Sequence, residues 1–137
     1  MFVISSCTKE FVLDIGVNPP EGGSVFPSDG TFKNGTTVTL NATPNSEYIF
    51  TGWSGDAIGN NTSVQVTVDD NKSIIANFRL VQYELTTSVN GQGSITETII
   101  NTGKTDYDSG TKLRLEAIPA QGYYFKEWSG DLQGDTN

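Results

Sequence analysis

An internal repeat is the feature of this sequence that most narrows its possible folds. The segment GTTVTLNATPNSEYIFTGWSGD, residues 35–56, aligns without a gap with GTKLRLEAIPAQGYYFKEWSGD, residues 110–131, and 11 of the 22 positions are identical. Upstream, FVLDIGVN at 11–18 aligns with YELTTSVN at 83–90. Self-similarity of this kind predicts a tandem array in which each copy is one structural unit.

The repeat sets the predicted domain boundaries. The predicted segments are an N-terminal tether at 1–10, a first repeat at 11–78, a linker at 79–82 and a second repeat at 83–137. The first copy continues beyond its W-S-G-D motif into residues 63–78, whereas the second stops at Asn137, the equivalent of Thr62. Because loss of a final hairpin leaves a sheet edge and a core face uncovered, we expect the sequence to be a fragment, truncated at its C-terminus and at its N-terminus too.

Alternation of apolar and polar residues predicts strands rather than helices. Apolar residues recur at every second position from Val38 to Ala42 and from Val64 to Val68, and residues 69–72 between this strand and the next are predicted to form a hairpin turn. In the second copy, charged residues alternate with Leu113, Leu115 and Ala117, which indicates a face in water. The fold class is therefore all-β, with small, mostly antiparallel sheets of about five to six short strands in each unit.

Two motifs of the first copy occur as a pair. W-S-G-D at 53–56 is followed by V-T-V-D-x-N-K-S-I-x-A-N-F at 66–78. This paired signature resembles the divergent InlB B-repeat family, a repeat domain of bacterial secreted and surface proteins, and the resemblance extends over about nine tenths of the chain. The resemblance implies β-grasp-like modules in tandem that serve as spacers or interaction modules, with no catalytic residues to transfer.

Composition argues against several classes of function. Sixteen acidic residues against eight basic ones give a net charge of −8, which argues against nucleic acid or an anionic membrane surface as a partner. The chain has no histidine, so it lacks the commonest general base and zinc ligand. We expect no cofactor, no metal and no enzymatic activity, and any catalytic domain would lie downstream of residue 137.

The single cysteine suggests a membrane anchor. Ile4-Ser5-Ser6-Cys7 resembles a bacterial lipobox, in which the cysteine is acylated and becomes the mature N-terminus. A secretory leader needs a charged segment and a longer apolar stretch than residues 1–4 provide, so this interpretation requires a leader upstream. The alternative is an N-terminus with a free thiol. Acylation of Cys7 would place the protein outside the cytoplasm, anchored to the membrane without a spanning helix.

Acidic turns are candidates for catalysis or calcium binding. Asp56, Asp69 and Asp70 are the obvious carboxylates, but all three lie in turn sequences, where Asp is favoured for local hydrogen bonding. Possible calcium ligands are Asp56, Asn60 and Asn61 in the first copy, and Asp131, Asp135 and Asn137 in the second. Their spacing does not match an EF-hand, and the two copies differ in carboxylates. We therefore predict neither a catalytic nor a metal site.

The repeated tryptophans are the candidate ligand contacts. Strict alternation from a core-facing Phe50 places Trp53 on the opposite face, where its indole could stack on a sugar. A bulge near Gly52 would instead return Trp53 to the edge of the core. The same two alternatives apply to Trp128.

These features predict a non-catalytic, extracytoplasmic repeat protein of the bacterial cell surface, acting as a spacer or an adhesion module in a larger lipoprotein. The expected partners are a polysaccharide or a surface protein, downstream domains of the same chain, and a membrane only through lipid on Cys7. The alternative is a carbohydrate-binding accessory module of a secreted multidomain enzyme.

Overall fold

A computed structural model describes residues 8–101 and 107–134 of the chain. The chain divides into two compact units, unit 1 (Met1–Val81) and unit 2 (Gln82–Asn137), with the boundary inside the predicted linker. The described residues form strands and turns with no α-helix, which confirms the all-β fold class. None of their segments is a helix long and apolar enough to cross a membrane.

The described part of unit 1, residues 8–81, contains seven strands, one more than the five to six predicted. In chain order they are β1 (Glu10–Asn18), β2 (Gly23–Phe26), β3 (Gly30–Lys33), β4 (Thr36–Pro44), β5 (Tyr48–Gly55), β6 (Ser63–Val68) and β7 (Lys72–Leu80), with one 3₁₀ turn at Pro20–Gly22. They form a four-stranded sheet of order β3-β1-β7-β5 and a three-stranded sheet of order β2-β4-β6. Every pairing is antiparallel except β1 with β7 at the centre of the larger sheet.

The core of unit 1 is one apolar cluster built from both sheets. Its buried members follow the predicted alternation, so that β4 buries Val38, Leu40 and Ala42 while the Thr and Asn residues between them stay exposed. The largest fully enclosed side chains are Leu13, Leu40, Val68 and Ile74. Because both sheets contribute to this cluster, each sheet covers the apolar face of the other.

The connection between β6 and β7 corrects the predicted hairpin. β6 pairs with β4 in the smaller sheet, whereas β7 pairs with β1 and β5 in the larger one, so the turn carries the chain from one sheet to the other. Alternation alone does not reveal the change of sheet, because both strands direct their apolar residues into the same core. β7 also continues through Leu80, into the predicted linker.

This inter-sheet turn is held by side-chain contacts. The Lys72 ammonium lies 2.8 Å from the Asp69 carboxylate. Hydrogen bonding to Lys72 lowers the pKa of Asp69, and the same contact raises the pKa of Lys72. The Asn71 side chain accepts a hydrogen bond of 2.9 Å from the backbone N–H of Val12, and so attaches the turn to β1.

Unit 2 repeats part of this architecture with the same strand register. Its described residues include two strands, β8 (Gly93–Ile99) and β9 (Leu113–Pro119), which are antiparallel, and Gly93 pairs with Pro119 as Gly23 of β2 pairs with Pro44 of β4. An isolated bridge from Gln82 to Asp108 corresponds to the pairing of β1 with β3 in unit 1. The residues equivalent to β2 and β4 therefore pair in the same way in both copies, whereas the described residues equivalent to β5, 123–130, form no regular strand.

Candidate functional site: the W-S-G-D motif

A β-bulge decides where the first tryptophan lies. The pairing of β5 with β7 shifts register between Phe50 and Gly52, which places Trp53 on the same side as Phe50. The Trp53 side chain is 5% exposed, and its ring packs edge-on against Phe50 with centroids 5.2 Å apart. Of the two alternatives left open by the sequence, the bulge that returns Trp53 to the core is the one observed.

The loop after the motif closes over Trp53. The indole N–H donates a hydrogen bond of 2.8 Å to the Asn61 carbonyl, and the backbone N–H of Trp53 donates one of 2.7 Å to the Gly59 carbonyl. A buried indole needs a partner for its N–H, and Asn61 supplies one. Trp53 thus leaves little surface for a sugar to stack on, and its role as a ligand contact remains a prediction.

Asn77 of β7 holds the bulge from the neighbouring strand. Its side-chain amide donates to the Gly52 carbonyl at 3.1 Å and to the Ser54 hydroxyl at 2.9 Å. Thr51 donates its hydroxyl to the Asn77 backbone carbonyl at 3.1 Å. The amide therefore satisfies the Gly52 carbonyl beside the register shift and also holds the Ser54 side chain.

The last two residues of the motif attach to the start of β7. The Asp56 carboxylate accepts a hydrogen bond of 2.7 Å from the Ser73 N–H, and the Asp56 N–H donates one of 2.9 Å to the Ser73 carbonyl. Gly55 has φ +87° and lies so close to Ser73 that a Cβ atom would collide with its carbonyl oxygen. We call these contacts of residues 53–56 with Ser73 and Asn77 the W-S-G-D clamp.

The clamp explains why the two sequence motifs occur together. W-S-G-D binds Ser73 and Asn77, which are both part of the N-K-S-I-x-A-N-F motif. In the sequence the two motifs form a family signature, but nothing in it singles out Ser73 or Asn77. The joint occurrence of the two motifs is the signal that the sequence offers, and nothing local indicates that the motifs lie side by side in the fold.

The candidate carboxylates are engaged in turns rather than gathered in a cleft. Asp56 belongs to the clamp, Asp69 pairs with Lys72, and Asp70 accepts a hydrogen bond of 2.8 Å from the N–H of Asn71. Within residues 8–101 and 107–134, no three acidic or cysteine side chains come close enough together to hold a metal ion. Cys7, Asp135 and Asn137 lie outside the described residues.

In unit 2 the residues after the second W-S-G-D motif form the same loop around Trp128. The backbone N–H of Trp128 donates a hydrogen bond of 2.5 Å to the Gly134 carbonyl, and the Trp128 and Phe125 ring centroids are 5.4 Å apart. Trp128 is half-buried, unlike Trp53, and its role as a ligand contact also remains a prediction. Gly130, the equivalent of Gly55, has φ +99°, but a Cβ atom placed there meets no described atom within 4 Å.

An open groove of about 460 Å³ borders this second motif. It is lined by residues of β8, β9 and the segments before and after them. Several of these lining residues occupy positions whose equivalents in unit 1 lie in the core or pack against it. They include Leu85, Ile95, Leu115, Phe125 and Trp128. No apolar side chain that the structure describes in unit 2 is fully buried, so this surface corresponds to an uncovered core face.

Two all-β units that share strand register and the geometry of one motif define a tandem β-repeat protein. The chain belongs to the family described as the Divergent InlB B-repeat domain, whose model matches residues 13–82 and 83–137. The match confirms the resemblance predicted from the paired motifs, and it fits a repeat module of a bacterial surface protein. Comparisons with curated proteins and with solved structures gave no significant match.

Proposed function

We propose that this chain is a non-catalytic spacer of the bacterial surface, built to remain folded when its ends are pulled apart. The observation that supports this role is the parallel pairing of β1 with β7, the first and last strands of unit 1. A spacer between an anchor and a distal domain receives tension through these two strands.

The parallel arrangement determines how such tension acts. Force on the start of β1 and the end of β7 pulls the two strands along each other in opposite directions, because these points lie at opposite ends of the pair. Six residue pairs, from Leu13–Lys72 to Asn18–Asn77, then share the force and must separate together. Force applied at one end of the same ladder would instead open its hydrogen bonds one after another.

The W-S-G-D clamp strengthens the same strand from its other side. β7 lies between β1 and β5, and the clamp attaches β5 and its loop to β7 at Ser73 and Asn77. Unfolding that draws β7 out from between β1 and β5 therefore also breaks the contacts of Asp56 and Ser54. This placement gives the motif a mechanical role that does not depend on a ligand.

Single-molecule force measurements test the proposal through pulling geometry. Cysteine handles at Lys9 and Arg79, both exposed, load the β1–β7 ladder in shear. Handles at Lys9 and Asp70 load the same ladder from one end, because Asp70 lies just before β7. Both variants carry Cys7→Ser so that only the two handles react, and each pair of substitutions lies outside the core.

We expect the shear geometry to unfold at a force several times that of the peeling geometry at the same pulling speed. Equal forces in the two geometries would show that the β1–β7 ladder is not the mechanical element, and would remove the support for a spacer under tension.

We further propose that the anchor is lipid on Cys7, which lies three residues before the start of β1. Such an anchor places the repeats outside the cytoplasm, where a polysaccharide, a surface protein or a further domain of the chain is the partner. Mass spectrometry of the membrane-associated native protein should give an N-terminal peptide that begins at acylated Cys7. An unmodified peptide that extends upstream through Cys7 would refute the anchor.

A further inference from the structure

We propose that β6 of unit 1 pairs with β6 of a second copy of this chain, edge to edge and antiparallel, so that two copies form a dimer. The proposal goes beyond the spacer role and does not depend on it. It follows from the lack of protection at one sheet edge, from the hydrogen-bonding groups that this edge presents, and from the charges beside it.

Among the described residues of unit 1, β6 is the least protected edge strand. The other edge strands of the two sheets are β2, β3 and β5. β2 and β3 have four residues each, β3 ends at Lys33, and Pro27 follows directly after β2. On β5, Trp53 bonds to Gly59 of the loop that follows, on the side away from β7. Edge strands are protected by shortness, charge, proline or a covering loop, and the six residues S-V-Q-V-T-V of β6 have none of these.

Every second residue of β6 presents its main-chain groups at this edge. The Ala42 N–H of β4 donates a hydrogen bond of 2.7 Å to the Thr62 carbonyl. Such bonded pairs recur at every second residue of an antiparallel ladder, so the valines of β6, beginning with Val64, also bond to β4. The residues between them direct N–H and C=O away from β4, to a side where the structure describes no further strand, and they are Ser63, Gln65 and Thr67.

This row of groups is complementary to a second copy of itself. When two β6 strands run antiparallel with Gln65 opposite Gln65 of the second copy, Ser63 lies opposite Thr67 and Thr67 opposite Ser63. Each of these pairs exchanges two main-chain hydrogen bonds, which gives about six bonds across the dimer. A register shifted by two residues leaves one residue of the row without its counterpart. The two-fold arrangement about Gln65 therefore uses the edge most fully.

Charges beside β6 favour the antiparallel arrangement over a parallel one. Asp69 and Asp70 follow directly after β6, and Lys72 forms an ion pair with the first of them. Antiparallel pairing about Gln65 places these two residues beside residues 60–61 of the second copy, which are both Asn and can donate to a carboxylate. Parallel pairing would instead bring the two acidic turns together.

The distance between the acidic turns keeps their repulsion small in the antiparallel dimer. Asp69 of one copy lies opposite residue 61 of the other, so the two turns are about 27 Å apart at ~3.4 Å per residue. This separation exceeds the Debye length of about 8 Å at physiological ionic strength. The net charge of −8 on each chain therefore does not oppose this dimer at close range.

Pairing also covers an apolar side chain that the single unit leaves partly open. Val64 packs against the core but is only partly buried. In the two-fold arrangement it lies opposite Val66 of the second copy, in a non-hydrogen-bonded pair, where side chains are closest. Contacts between β-branched residues across such a pair stabilise a sheet.

The assembly closes at two copies. Both free β6 edges are used, and the joined sheet has the order β2-β4-β6-β6-β4-β2, which ends at a short β2 on each side. An interface in which the same strand contacts itself about a two-fold axis leaves no edge for a third copy. Because the contact is one strand wide, we expect weak and reversible association.

Sedimentation velocity of the Cys7→Ser chain between ~10 μM and ~1 mM is the first test. The substitution removes the single thiol, so no disulfide can join two copies. We expect a reversible monomer–dimer equilibrium within this range. Gln65→Lys places two ammonium groups opposite each other on the two-fold axis and should raise the dimer Kd about two- to fivefold.

A mixture of charge variants tests the position of the axis. Lysine lies opposite glutamate when Gln65→Lys and Gln65→Glu chains pair, so the mixed dimer should form more tightly than the dimer of either variant alone. Thr39→Lys is the matched control, because Thr39 is exposed and lies opposite Gln65 on β4, one strand away from the edge. Its Kd should equal that of the parent. A mixed dimer no tighter than the two variant dimers, or equal effects of Thr39→Lys and Gln65→Lys, would overturn the proposal.

Amide exchange gives a second measurement with an alternating pattern. At concentrations where most chains are dimeric, exchange of the outward N–H groups of Ser63, Gln65 and Thr67 should slow at least twofold relative to dilute chain. The valine N–H groups of β6 should change little, since they already bond to β4. A chain that stays monomeric up to ~1 mM, or concentration-dependent changes confined to unit 2, would contradict the proposal.

Discussion

Replacing Gly55 with alanine tests the clamp, and the chain contains its own matched control. Gly55 and Gly130 occupy the same place in the two W-S-G-D motifs, and both have positive φ. Alanine in a left-handed conformation costs roughly 1–2 kcal/mol at either site. The two sites differ in their surroundings, because only Gly55 lies against the backbone of β7.

The additional cost at Gly55 follows from that contact. An alanine Cβ would collide with the Ser73 carbonyl oxygen and lie 3.2 Å from the carbonyl carbon, so β5 and β7 must separate locally. Separation weakens the two hydrogen bonds that join Asp56 to Ser73, one of which has a charged acceptor. Their loss adds about 1–3 kcal/mol. We therefore expect Gly55→Ala to lower the unfolding free energy of unit 1 by about 2–5 kcal/mol.

Native-state hydrogen exchange resolved by peptide gives an opening free energy for each unit separately. Gly55→Ala should lower the opening free energy throughout unit 1 by about 2–5 kcal/mol. Gly130→Ala should lower the opening free energy of unit 2 by only about 1–2 kcal/mol. Equal effects of the two substitutions would refute the claim that close approach to Ser73 is what requires glycine at position 55.

Three further predictions concern the core, the bulge and the inter-sheet turn. Leu40→Ala should destabilise unit 1 by about 2–5 kcal/mol in urea unfolding, and the equivalent Leu115→Ala should cost much less in unit 2 because its side chain is only half-buried. Asn77→Ala should cost about 1–3 kcal/mol and speed amide exchange in β5, with the exposed Asn60→Ala as a neutral control. Lys72 lowers the pKa of Asp69 in the folded chain, so the unfolded chain binds more protons at acidic pH. The Asp69–Lys72 pair therefore stabilises the folded chain above about pH 4, and this stabilisation is lost as pH falls through the lowered pKa of Asp69. A urea-midpoint series from neutral to acidic pH should show this loss, and Asp69→Asn should remove that part of the pH dependence.

The sequence was sufficient to predict the all-β class and the inward-facing residues of the regular strands. Alternation around Leu40 identifies the buried side of β4 because an edge-to-edge ladder preserves a period of two. It fails at Trp53, since the bulge after Phe50 interrupts that period. The bulge depends on Asn77, which lies 25 residues from Gly52 along the chain.

The strand order likewise depends on contacts between residues that are distant in sequence, which alternation does not reveal. Val66 and Ile74 alternate with polar or exposed neighbours in nearly the same way, yet their strands belong to different sheets. A turn of four residues with Asp, Asn and Lys is compatible with a hairpin and with a crossing between sheets. Pairing partners decide between them, and those partners are β1, β4 and β5, all distant in sequence.

The pairing of β1 with β7, the first and last strands of unit 1, also determines when the larger sheet can be completed during biosynthesis. Asp14 lies opposite Ser73, 59 residues later, so the central ladder cannot form until β7 has left the ribosome or the export channel. At 5–20 residues per second this delay is about 3–12 s, during which β1 lacks its pairing with β7 although β1 to β6 can already pair among themselves.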